Sequence, residues 1–220
     1  MGLSPTSPRR SARLVLAALV VLTGCETKPD PASSEGPKPA PSGQAEAYTP
    51  IEPSPGRFVA KDGRIAVPIP GHGDEDSGWE CLEERNPKAS AEGGAAALRC
   101  RRTNPRELMF MAAKTHRQPP DQRTNAKTVL MTLYREDNIN FFDTVEYTHD
   151  GPATLAGVEG YEAELIAEHG RLGAVRKRER LAIVGDRILA VSAEGLPELW
   201  DEHQAAIDQW FAEVEFALAP

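Results

Sequence analysis

Apolar positions recur along this chain with two periods, and the period separates strands from helices. Ile65, Val67 and Ile69 alternate with small or polar neighbours, as in a half-buried strand. Pro68 and Pro70 place that strand at a sheet edge or make it a strand end. Trp79, Cys81 and Leu82 open another short strand, and 83–94 read as a loop. Residues 97–102 and 107–114 form a pair around Asn104 and Pro105. In the second of these, Leu108, Phe110 and Ala112 share one face while Met109, Met111 and Ala113 share the other. Two apolar faces predict a central strand covered on both sides. Pro119 and Pro120 break the sheet. A helix capped by Asp121 or Thr124 then runs to about residue 136, with Ala126, Val129, Leu130 and Leu133 at helical spacing.

The second half repeats the strand pattern. Val145 and Tyr147 mark a short strand that ends in a turn at Asp150, Gly151 and Pro152. Tyr161, Ala163, Leu165 and Ala167 alternate with Glu162, Glu164, Ile166 and Glu168. The chain returns through 175–184, turns at Gly185 and Asp186, and continues as a last strand over 188–193. Pro197 starts a final helix whose first turns carry Glu198, Asp201 and Glu202, the sign of charge that a helix N-terminus favours. Leu199, His203, Ile207, Trp210 and Val214 line one face of it, supported by Trp200, Ala206 and Phe211. Hairpin turns joining successive strands imply an antiparallel sheet. With a helix in the middle and one at the end, the fold class is α+β, an antiparallel sheet covered by helices.

The pattern also divides the chain into a leader over 1–24, a linker over 25–55 and a globular domain over 56–220. The linker is rich in Pro, Ser, Gly, Ala and Glu and has almost no aliphatic residue before Ile51. It cannot bury enough apolar surface to offset its ordering entropy, so it reads as an extended spacer or exit peptide reaching on the order of 90 Å. In the leader, Arg9, Arg10 and Arg13 precede the short uncharged run 14–22. That order reads as a secretory signal, and the run is far shorter than the roughly 20 residues of a spanning helix. Leu22, Thr23, Gly24 and Cys25 resemble the lipobox of bacterial lipoproteins. The resemblance implies lipid on the Cys25 thiol, cleavage before it, and a membrane anchor that does not span the bilayer. The alternative is an ordinary signal peptide with a chance cysteine nearby. Glu26 stands where Asp would favour the inner membrane in those lipoproteins. The resemblance therefore implies the outer membrane, with the domain facing the periplasm.

Charge narrows the partners. The chain carries 25 Lys and Arg against 33 Asp and Glu, net −8, and loss of the leader's arginines makes it more acidic. Such a surface repels phosphate backbones, which disfavours nucleic acid. Besides Cys25 the cysteines are Cys81 and Cys100. In an oxidising compartment they read as a disulfide, the alternative being two reduced core cysteines. His72, Asp74, Glu75 and Asp76 could face a cation, yet their spacing lacks a calcium-loop pattern and reads better as a solvated acidic loop. Glu202 and His203 lack the second histidine of a zinc-protease helix. Arg176, Arg178 and Arg180 share a strand face and could pair with Glu162, Glu164 and Glu168 or receive an anion. No catalytic motif, metal set or cofactor site is specified.

The order of elements adds a family resemblance. An opening strand ending in Pro with a later Trp, from Ile65 to Trp79, is followed by Leu155, Ala156 and Gly157 before Tyr161, Glu162 and Ala163. A hydrophobic strand, a helix and an aromatic close, from Ile188 to Phe216, complete it. This resembles the PsbP-like α/β/α sandwich superfamily, which includes DcrB-like envelope lipoproteins and a Ran-binding import protein. The resemblance implies a noncatalytic domain, not an enzyme, that binds or scaffolds an envelope protein partner; it carries no functional residues to transfer. The other readings are a carrier of a small apolar or lipid ligand, with its cavity beside Trp200 or Trp210, and a metal-dependent hydrolase without a motif.

Overall fold

The computed structural model describes residues 48–74, 77–84, 96–118 and 124–218. The expectations for the leader, Cys25, the linker as far as residue 47, Glu75, Asp76, Pro119, Pro120 and Asp121 lie outside the described residues. Strands β1 (Arg57–Val59), β2 (Ile65–Pro68) and β10 (Glu215–Phe216) form a small antiparallel sheet with β2 in the middle. Pro68 closes β2, where its missing N–H is tolerated.

The main sheet has seven antiparallel strands in the order β3-β4-β5-β9-β8-β7-β6. These are β3 (Trp79–Glu83), β4 (Ala96–Arg102), β5 (Met109–Arg117), β6 (Thr144–Leu155), β7 (Val158–His169), β8 (Gly173–Val184) and β9 (Arg187–Gly195). Between β5 and β6 the chain runs through α1 (Ala126–Val129), a π-helical turn (Leu130–Tyr134) and α2 (Arg135–Phe141). After β9 come α3 (Pro197–Glu202) and α4 (Gln204–Glu213).

Side-chain alternation puts a different core on each face of the main sheet. Leu98, Met109, Met111, Ala113, Leu189, Val191 and Ala193 pack with Trp200, Ile207, Trp210 and Phe211 of α3 and α4 and with Ile65 and Val67 of β2. On the other face Tyr161, Ala163, Leu181, Ile188 and Ala190 pack with Val129 and Leu130. That second helical cover reaches only part of the sheet. The face of β5 carrying Phe110 and Ala112 is half-buried, so the expected two-sided cover of this strand is incomplete.

Three local expectations change. Asn125, and not Thr124, caps the helix, its Oδ1 accepting from the Thr128 N–H at 2.9 Å. The helical segment continues to Phe141. A π turn places one extra residue in the winding and rotates the helix beyond it. Leu133, inside that turn, lies off the buried stripe and is 46% exposed. The turn expected at Asp150, Gly151 and Pro152 lies inside the twelve-residue β6. This strand is the sheet edge, where Pro152 can point its donor-less nitrogen outward. The actual reversal is the two-residue loop Ala156 and Gly157, both at positive φ, 49° and 78°, the backbone shape that joins twisted strands tightly. Lastly, the single C-terminal helix is broken at His203 into α3 and α4.

Candidate functional site

The register of the main sheet builds a hollow on its incompletely covered face. Across the strands, Arg99 lies opposite Ala112, Ala112 opposite Ser192, and Ser192 opposite Glu179. One row along, Phe110 lies opposite Glu194 and Glu194 opposite Lys177. One row the other way, Lys114 lies opposite Ala190. Small side chains thus occupy the middle while long ones ring it. The result is a cavity of about 400 Å³ floored by Ala112, Ala190 and Ser192 and walled by Arg99, Phe110, Lys114 and Glu194. Tyr134, Asp137, Asn138 and Phe141 overhang it from the π turn and α2.

A polar network closes its inner end. Lys177 Nζ donates to Asn138 Oδ1 at 2.7 Å and lies 2.8 Å from Glu179 Oε1 and 3.8 Å from Glu194 Oε2. Asn138 Nδ2 donates to Glu179 Oε2 at 2.9 Å and to the Tyr147 hydroxyl at 3.2 Å. Asn138 and Glu179 are 2% and 4% exposed, so these bonds replace hydration that both groups lose on folding. Glu194 is also buried. Burial pushes its carboxyl up, Lys177 and Arg99 pull it back, and Glu179 adds to the rise.

The outer wall differs, because its donors lack partners. The Tyr134 hydroxyl is buried with no hydrogen bond, and burial raises its pKa. Arg99 places one nitrogen 3.0 Å from Glu84 and its guanidinium over the Phe110 ring, while its Nε is buried and unbonded. Lys114 Nζ sits 4.5 Å from the centre of the Tyr134 ring. Burial lowers its pKa and Glu179 pulls it back up, while the exposure of the residue as a whole limits the effect. Shifted groups gathered in a cleft mark a candidate site.

The residues singled out from the sequence lie elsewhere. Cys81 and Cys100 face each other across β3 and β4 with Cα atoms 4.0 Å apart and are bonded through their sulfurs. Arg178 makes a two-nitrogen contact to Glu162 at 2.9 and 3.1 Å, Arg180 joins the same carboxylate at 2.8 Å, and Arg176 reaches Glu164 at 3.5 Å. Glu168 lies opposite Ala174 and is exposed. This ladder lies on the α3–α4 side, with Arg176 over Trp200 and Arg178 over Phe211, so the basic run is occupied by internal pairs. Trp200 and Trp210 are sealed in the core, and the cavity is on the opposite face. His203 stacks edge-on with Trp79 at 5.4 Å, and burial lowers its pKa. Among the described residues no group of three His, Cys, Asp or Glu is placed to hold a metal. Nor is any helix among them long and apolar enough to cross a membrane.

Sequence reasoning passes over the cleft residues, although a signal exists. Lys114, Ser192 and Glu194 interrupt otherwise apolar central strands. Lys177 and Glu179 fall out of phase with the arginine row, and so must point to the other face.

Known structures share the backbone fold. The cyanobacterial PsbP protein of Synechocystis matches with a TM-score of 0.50 at 12% identity, covering 80% of this chain and 96% of that one. LpqN of Mycobacterium tuberculosis, described as involved in cell envelope biogenesis, matches with a TM-score of 0.50 at 13% identity, covering 74% and 90%. The fold is PsbP-like. No family model and no curated protein sequence matches the chain. At these identities the PsbP-like likeness concerns backbone architecture and assigns no role to any side chain of the cleft.

Proposed function

We propose that this chain is a cell-envelope lipoprotein, held at a membrane by lipid on Cys25, whose PsbP-like domain binds or scaffolds another envelope component without catalysing a reaction. The observation that supports a binding role is the cleft, a preshaped hollow with a rigid inner network and unpartnered donors on its outer wall. Lys177 and Glu179 are bonded to each other and to Asn138, an arrangement suited to holding a shape. The Leu22–Cys25 lipobox pattern supports the anchor, and the structural likeness to LpqN, an envelope biogenesis protein, agrees with an envelope setting. Glu26 after the cysteine favours the outer membrane, with the domain facing the periplasm.

The anchor is tested by fractionating cells that express Cys25→Ser. The variant should move from the membrane to the soluble fraction, and its retention with membranes would contradict the assignment.

A further inference from the structure

We infer that the cleft takes the carboxylate of a small, singly charged acid with an apolar body, gripped by Lys114 and the Tyr134 hydroxyl. The inference rests on reading the cleft as the domain's binding site, and it names the ligand chemistry. Around the cavity the ionic groups divide into committed and uncommitted ones. Glu84 is paired with Arg99 at 3.0 Å. Glu179 and Glu194 share Lys177 at 2.8 and 3.8 Å. Lys114 and Asp137, both on the lining, make no ion pair within 4.0 Å among the described residues, and Lys114 rests against the Tyr134 ring.

The donors agree with the charges. Tyr134 Oη and Arg99 Nε are buried and make no hydrogen bond, so neither regains on folding the bond it makes to water in the unfolded chain. An acceptor entering beside Lys114 would satisfy the tyrosine hydroxyl at the same time. Arg99 Nε can only donate, the Tyr134 hydroxyl has a proton to give and Lys114 supplies a positive charge, so an anionic acceptor suits this wall.

The number of charges and the shape narrow the class. Among the described lining residues Lys114 offers one ammonium to a ligand carboxylate, and the unpaired carboxylate of Asp137 would repel a second negative charge. A doubly charged phosphate would bring a surplus negative charge close to Asp137, Glu179 and Glu194. Apolar side chains line the places where the ligand's body would lie, with Ala112 and Ala190 on the floor beside Ser192, Phe110 on the wall and Phe141, 58% exposed, at the mouth. A cavity of about 400 Å³ falls in the range of small-molecule sites.

Phenylacetate is a direct probe, titrated calorimetrically into the full chain, with phenylacetamide and inorganic phosphate as controls. Saturable phenylacetate binding is expected, with both controls weaker by at least about tenfold. Tyr134→Phe, which removes one oxygen, and Lys114→Met should each weaken phenylacetate about tenfold. Lys114→Arg should largely retain binding. Thermal melts establish which variants fold, and if Lys114→Met does not, Tyr134→Phe decides. No saturable binding, equal binding of the amide, tighter binding of phosphate, or indifference to Tyr134→Phe would each overturn the inference. If phenylacetate fails while a partner still crosslinks from the cleft, the ligand class falls and the binding role stands. If both fail, the binding role falls too.

Discussion

Glu194 shows how one side chain records the character of the cleft. It projects from a central strand into a hollow where burial disfavours its charge, and Lys177 offsets only part of that at 3.8 Å. Its pKa in the folded chain therefore lies above its ordinary value of 4.5. Between those two values the folded chain holds a proton that the unfolded chain has released, so this group's contribution to stability falls as pH rises through the window. Neighbouring charges on other elements are Glu179, Arg99 and His169, and they are common to the wild type and a Glu194→Gln variant. Urea midpoints of the two proteins should shift in favour of the variant as pH rises from 4.5 to 7. A shift toward the wild type would mean that the Lys177 pairing outweighs burial. At this scale the sequence was legible where charges alternated in phase. Arg176, Arg178 and Arg180 pair with Glu162 and Glu164 across β7 and β8 as their spacing implies. Lys114 and Glu194 were hidden because a lone charge on an apolar strand does not reveal which helix covers it.

Elements were legible wherever one physical signal dominated. Period-two alternation located β7, β8 and β9 because each buries a continuous side-chain row. It failed at β6, where Asp150, Gly151 and Pro152 carry turn chemistry inside an edge strand. Local propensity yields there to eleven partner positions along β7. The helix after β5 was placed correctly in outline, yet its π turn has no sequence mark. That turn decides which residues overhang the cleft, because Tyr134 and Asn138 follow its extra winding. Cys81 and Cys100 are set by β3–β4 register at directly opposed positions, 19 residues apart. Closing a loop of that length should stabilise the fold by about 3 kcal/mol. A non-reducing mass measurement should show the bridge, and Cys81→Ala with Cys100→Ala should lower stability by that amount. Free thiols in the oxidised protein, or an unchanged urea midpoint in the double variant, would count against it.

For the whole molecule, the decisive feature is unequal cover. One face of the seven-stranded sheet is sealed by α3, α4 and β2, with both helix tryptophans inside. The other carries a short helical segment that protects part of the sheet and leaves the cleft. Alternation of apolar residues and hairpin order made the α+β class and the PsbP-like architecture readable. The cleft was not readable, because it arises from register between β4, β5, β9 and β8 and from where one helix stops. If the domain binds another envelope component as proposed, the cleft on one sheet face is its expected contact surface. Site-specific photocrosslinking in intact cells tests this most directly, with the reactive group placed at Ser192 in the cleft or at the exposed Glu159 on the β6–β7 hairpin. The binding account predicts a discrete adduct from Ser192 and none from Glu159; no adduct from Ser192, or the same adduct from both positions, would contradict it.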